Sequence, residues 1–307
     1  KSGYMDMATR DIAELIAGLE QVFGIDLSTT TNVENFYKFP LQATDASGLI
    51  PAYGDGGRNY SGFTQEHGQW FVHRTGNPYL YHFVKPFWEA GNGGFLGYLW
   101  YRNDLQPKDR SSLPPSRPFE AQGMVMRSGW DDHSTVISTR TGPHSNHYHF
   151  DQGSFQVMTN GEELLTDPGI GTGGYYMNTE YLSYNTQSIA HNVLLVDHDP
   201  GSQIAAHFDN GIRSLSEWPT MSALFNGGSV DAVTASLATV YKGKLDGYER
   251  KLVYRKNGPI FLWDQVTARK GEMHVYDWLF HVPQMGQQRT CSYENNRFLL
   301  EQPKARL

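Results

Sequence analysis

The chain has 307 residues, 39% of them hydrophobic, which is enough for packed cores in one large domain or two ordinary ones. Its formal net charge of −7 argues against a nucleic-acid binder that works by broad phosphate neutralisation. The single cysteine, Cys291, excludes an internal disulfide and Cys-rich zinc modules, so any metal site must draw on His and carboxylate ligands.

No run of about 18 apolar residues occurs, and no membrane span is indicated. The opening stretch KSGYMDMATRDIAELIAGLEQVFG is amphipathic, has no signal-peptide pattern and lacks an initiator Met, so the sequence is expected to begin inside a longer protein. Aromatic residues make up 13% of the chain. They suit stacking on sugar rings, but ordinary β-rich packing accounts for most of them.

From the N-terminus, Ile12, Leu15, Ile16, Leu19, Val22 and Phe23 recur at three-and-four spacing and predict a helix stopped by Gly24. Further helices are expected in TNVENFYKFPLQA, with Pro40 as a break, and in GQWFVHRTG, YLYHFVKPFWEA and FLGYLWYR. The segment NDLQPKDRSSLPPSRPF, with four prolines, reads as a joint. Beyond it come short segments rich in β-branched and aromatic residues, separated by turn signals, among them the hairpin turns Asn160-Gly161 and Asn257-Gly258. The expected fold is therefore α+β, with a helical region over residues 1–112 and a large antiparallel β-sandwich over 113–307.

The stretch HSNHYHFDQGSFQVMTNGEELLTDPGIG, residues 144–171, crowds three histidines and two aspartates around the first of those hairpins. If HYHFD is extended, His147, His149 and Asp151 share one face, and the returning strand brings Asp167 toward His149. His191, in SIAHNVLLVD, opens another apolar strand and offers a third ligand. An H-x-H pair is also common in cores and on surfaces, so the spacing leaves metal binding and plain hydrogen bonding equally open.

These runs, together with MRSGWDDHSTVISTRTGPHS, resemble the heparinase II/III-like polysaccharide lyases, a family of heparin lyases and related alginate lyases. The resemblance is specific over residues 120–200 and loose elsewhere. It implies an (α/α) toroid, of which residues 1 to about 110 would be the last helices, followed by an antiparallel β-sandwich. It also implies zinc, held by His149, Asp167 and His191 and structural in role, with His147 as a catalytic or substrate-contacting histidine. Tyr4 is similar to the family's helix-entry tyrosine. Tyr175, Tyr176, Tyr181 and Tyr184 lie where members place another active-site tyrosine, although packing is the commoner role for any one of them. Tyr4 and Tyr184 are the favoured catalytic tyrosines, while Tyr176 and Arg127 are expected to meet the substrate, although an arginine more commonly pairs with a carboxylate.

The implied reaction is β-elimination on a uronic-acid-containing polysaccharide, alginate or a glycosaminoglycan, in a periplasmic or secreted setting. The acidic polymer is the one partner implied, with no nucleic acid. Members also use an Asn, His or Glu from earlier toroid helices to neutralise the substrate carboxylate, and no equivalent lies upstream of Tyr4. Two other readings stay open: a zinc-dependent hydrolase, for which no H-E-x-x-H is present, and a non-catalytic carbohydrate-binding β-sandwich stapled by zinc.

Overall fold

The structure is a computed structural model, and it describes residues 2–29, 35–45, 48–58, 66–119, 122–143, 149–170, 178–204, 218–225, 228–283 and 290–306. The chain divides into two compact units. The first comprises Lys1–Thr44, Gly48–Ile50 and Gly57–Leu113, and the second Asp45–Ser47, Pro51–Gly56 and Pro114–Leu307. A short piece of the helical region, Pro51–Gly56, thus belongs to the second unit.

The first unit holds α1 (Ser2–Phe23), α2 (Asn35–Ala43), α3 (Glu66–Thr75), α4 (Pro78–Phe87) and α5 (Gly94–Leu99). Helix α1 ends as its sequence dictates: Gly24 adopts φ 68° and its N–H closes onto the Glu20 carbonyl at 2.9 Å. Its buried stripe is displaced from the expected one. Thr9, Ala13 and Ile16 are buried, while Leu15, Val22 and Phe23 are exposed. Ile12 and Ala17 pack against the same core from partly buried positions. Pro40 does not break α2. It costs one intrahelical donor, but the helix runs on to Ala43 and the Pro40 carbonyl accepts from Thr44 N–H at 3.0 Å. Helix α4 has a full start signal, with Pro78 at its first turn and the Asn77 side chain accepting from Tyr79 and Leu80 N–H. These helices bury Ile16, Tyr37, Trp70, Phe71, Leu80 and Val84 in a common core.

The second unit is built from antiparallel sheets. Strands β1 (Arg117–Phe119), β2 (Gly123–Arg127), β3 (Val136–Thr139), β4 (Phe155–Thr159) and β5 (Glu162–Leu165) form a five-stranded meander. A four-stranded sheet runs in the order β10 (Ile260–Ala268), β9 (Leu245–Arg255), β8 (Val230–Ser236), β7 (Thr220–Phe225). Met124, Met126, Ile137, Phe155 and Val157 of the first sheet pack with Val233, Leu252 and Tyr254 of the second in one buried cluster, which makes the unit a sandwich. Strand β6 (Leu194–Val196) pairs with β11 (Tyr276–Trp278), and β12 (Thr290–Glu294), β13 (Arg297–Gln302) and β14 (Ala305–Arg306) form a last small sheet. Helices followed by an antiparallel sandwich is the α+β order expected from the sequence.

The β4–β5 hairpin turns at Asn160 and Gly161, both left-handed at φ 53° and 73°. The β9–β10 hairpin turns around Asn257 (φ 57°) through a wider loop. The segment before β4 departs from expectation. His149 to Asp151, the described part of HYHFD, is irregular, with His149 and Asp151 buried and Phe150 half-buried, where a strand with a polar face was expected. Its backbone is tied elsewhere: Phe150 N–H bonds the Thr186 carbonyl at 2.9 Å, and Gln203 clasps Gln152 through both its amide oxygen and nitrogen.

Candidate metal centre

Four segments of the second unit converge on one buried cluster. His149 arrives just ahead of β4, Asp167 just after β5, and His191 just ahead of β6. One donor atom from each of the three lies within 4.8 Å of the others, and all three residues are buried. The fourth segment is the loop Pro51–Gly56, which carries Asp55.

Each side chain is held from behind. Asp167 Oδ2 meets His191 Nδ1 at 2.7 Å, and its Oδ1 accepts from Gly169 N–H at 3.0 Å, closing the turn that the D-P-G sequence encodes. Asn192, the residue after His191, donates to the Phe155 and Thr166 carbonyls at 2.7 and 3.0 Å, which pins the approach of His191 to the ends of β4 and β5. Arg250 of β9 donates to the Gly153 and Asn192 carbonyls and forks onto Asp264, so the second sheet also anchors these loops. Asp55 Oδ1 meets His149 Nε2 at 3.0 Å and accepts from Tyr181 Oη at 2.7 Å.

The electrostatics are those of a cation site. Burial disfavours a charge on His191, but the Asp167 carboxylate beside it wins, and the imidazole pKa rises above its ordinary value. Asp151 is wholly buried, with neither oxygen hydrogen-bonded among the described residues and Arg140 Nε 3.7 Å away. Among the described residues, two buried imidazole nitrogens, His149 Nδ1 and His191 Nε2, have no hydrogen-bond partner either. Unpaired polar atoms in such a place cost about 1–3 kcal/mol each. A divalent cation would satisfy them and offset the surrounding carboxylates, so the donor set of two imidazoles and a carboxylate fits zinc.

The other residues singled out from the sequence fall differently. Arg127, expected to contact substrate, is fully buried on β2, where its Nε bonds the Gly129 carbonyl and its guanidinium lies 4.4 Å from the centre of the Trp130 ring. A side chain so enclosed offers no surface to a polymer, which corrects that expectation. Tyr184 is 40% exposed, and partial burial together with the Asp167 charge raises its pKa. Tyr4 lies on α1 of the first unit, but its side chain, like His147, Tyr175 and Tyr176 as a whole, lies outside the described residues. Sequence reasoning missed Asp55, 94 positions from His149, because no spacing rule links a loop to a motif that far away.

Comparison with known proteins places this geometry in context. The sequence pattern of the family described as Heparinase II/III-like, C-terminal, matches residues 112–307. An exo-oligoalginate lyase of Saccharophagus degradans is 26% identical over 121 residues, 36% of this chain and 16% of that protein. Among solved structures, a heparan sulfate lyase from Pedobacter heparinus aligns with TM-score 0.64 at 17% identity, over 87% of this chain and 38% of its own. A heparinase III aligns with TM-score 0.68 at 15% identity, over 96% and 41%. The chain spans less than half the length of these relatives.

Proposed function

The chain belongs to the heparinase II/III-like family, and from that premise we propose that it is the C-terminal part of a polysaccharide lyase that cleaves a uronic-acid-containing polymer by β-elimination. The observation that carries this reading is the family match across the whole sandwich unit, with a buried His149, Asp167, His191 cluster at its centre. Alginate or a glycosaminoglycan is the substrate class, in a periplasmic or secreted setting. The helices of the first unit are the last of the family's toroid.

In this reaction a base takes the proton on the carbon beside the uronate carboxylate. A double bond forms as the glycosidic carbon–oxygen bond breaks, and an acid returns a proton to the departing oxygen. His147 and the phenols of Tyr4 and Tyr184 are the transfer groups assigned in this reading, and Tyr176 is assigned as a substrate contact. His149, Asp167 and His191 would hold zinc, which when bound staples three loops together and so fixes the segment preceding β4.

The test is incubation of this chain, and of the longer protein containing it, with alginate, heparan sulfate, chondroitin and hyaluronan. Ultraviolet absorbance of an unsaturated uronate is expected with one of them. New reducing ends without that absorbance would assign a hydrolase, and retained binding with neither would assign a non-catalytic module.

A further inference from the structure

The two imidazoles of the centre are gripped in the same way. Among the described residues, His191 has Nδ1 on the Asp167 carboxylate and Nε2 without a hydrogen-bond partner, while His149 has Nε2 on the Asp55 carboxylate and Nδ1 without one. Each ring is thus held on one nitrogen by an acid and leaves the other bare in the interior.

We propose that Asp55 is a positioning residue of the metal centre, which fixes His149 as its Nε2–H tautomer and so presents the Nδ1 lone pair as the ligand. The inference rests on the metal reading given above. Its physical basis is donor counting. A neutral imidazole carries one N–H and one lone pair, and an ionised carboxylate only accepts. With Asp55 accepting at Nε2, the lone pair is at Nδ1. The opposite tautomer would set the Nε2 lone pair against a carboxylate oxygen and bury an Nδ1–H that has no acceptor among the described residues.

Asp55 is itself constrained, as an orienting group must be. Tyr181 donates to the same Oδ1 from 2.7 Å, and its ring meets the His149 ring edge-on, with centroids 5.9 Å apart. The loop bearing Asp55 is stitched to the sheet ahead of the residue and abuts the Asp167 turn behind it. Gln156 of β4 bonds both backbone groups of Ala52, and Tyr53 Oη donates to the Ser138 carbonyl of β3 at 2.6 Å. On the other side, a Cβ at Gly169 would stand 2.3 Å from the Gly56 carbonyl, so the Asp167 turn and the Asp55 loop press directly on each other. The loop that carries Asp55 therefore abuts the turn that carries the ligand Asp167. Removing such an outer partner typically costs 10–100-fold in metal affinity.

Three measurements on the full chain test this. Zinc affinity is read by competition with a chromophoric chelator for the wild type, Asp55→Ala, Asp55→Asn and Tyr181→Phe. Circular dichroism of the metal-free proteins checks their folding. Long-range proton–nitrogen NMR of histidine-labelled, metal-free protein reads the His149 tautomer without any metal. The expected results are an Nε2–H His149 in the wild type, a 10–100-fold weaker zinc affinity in Asp55→Ala, and partial recovery in Asp55→Asn, which keeps an acceptor oxygen. A folded Asp55→Ala that binds zinc as the wild type does, or a metal-free wild type whose His149 is Nδ1–H, overturns the proposal. If Asp55→Ala fails to fold, the wild-type tautomer and Asp55→Asn decide. A wild type that takes up no zinc while His149 is Nε2–H removes the metal reading and leaves the orienting role of Asp55 supported.

Discussion

Asp167 Oδ2 stands 2.7 Å from His191 Nδ1, with both side chains shut off from solvent. Removing one member of a buried ionic pair leaves the other uncompensated, at a cost of about 3–5 kcal/mol. Asp167→Ala is therefore expected to destabilise the metal-free protein by that order in urea unfolding. Asp167→Asn, which keeps the shape and an acceptor, should cost less. Equal losses in the two variants would show that volume, and not charge, is what Asp167 contributes.

Zinc that binds only the folded chain stabilises it by mass action, by about 2.7 kcal/mol when free zinc is a hundred times its dissociation constant. A chelator should accordingly lower the melting temperature, and added zinc should restore it. His149→Ala and Asp167→Ala should show neither response, and elemental analysis should find one zinc per wild-type chain and none in the variants. A wild type indifferent to chelator would count against the site.

Arg250 satisfies four acceptors at once, the two oxygens of Asp264 and the carbonyls of Gly153 and Asn192. Arg250→Ala should cost about 3–5 kcal/mol, since two carbonyls lose this donor and a nearly buried carboxylate loses its cation, keeping only the Trp278 indole N–H. Arg250→Lys should recover only part of this, because an ammonium cannot reproduce the planar fork. Chemical denaturation measures both, and full rescue by lysine would contradict the argument.

Gly169 and Gly161 separate crowding from backbone strain. Both are left-handed, at φ 55° and 73°, but a Cβ at Gly161 meets nothing within 4 Å whereas one at Gly169 runs into the Gly56 carbonyl. Gly161→Ala should cost only the left-handed penalty of about 1–2 kcal/mol. Gly169→Ala adds a backbone clash, so it should be the more destabilising and should weaken zinc binding as the Asp55 loop is pushed away. The comparison fails if the two variants behave alike.

On the surface, His274 Nδ1 lies 2.7 Å from Asp197 Oδ2 and its Nε2 lies 3.2 Å from Glu272. The hydrogen bond to Asp197 is the main reason its pKa is raised, with burial opposing it. A raised folded pKa means that the contact's contribution is complete below the unfolded value of about 6.5 and fades as pH climbs through the higher folded value. NMR titration of His274 should give a midpoint above 6.5. Asp197→Asn, which tolerates the left-handed backbone at that position, should lower it. An unchanged midpoint would rule out Asp197 as the cause.

What the sequence determined by itself was local. Gly24 had to stop α1 because only a residue without a Cβ turns left-handed freely, Asn77 before Pro78 had to start α4, and Asn160-Gly161 had to join two strands. The runs HYHFD, LLTDPG and AHN also carried the family resemblance, and with it His149, Asp167 and His191. The tertiary structure decided whatever depended on long-range packing. It enclosed Arg127 beside Trp130, ran α2 through Pro40, and moved the buried stripe of α1 to Thr9, Ala13 and Ile16, leaving Leu15, Val22 and Phe23 exposed. It drew the segment at His149 out of the strand pattern by bonding Phe150 and Gln152 to residues 186 and 203. Above all it brought Asp55 to His149. Period and spacing record which residues share a face of one element, while a hydrogen bond across 94 positions exists only after the sheets have packed and the loops have met.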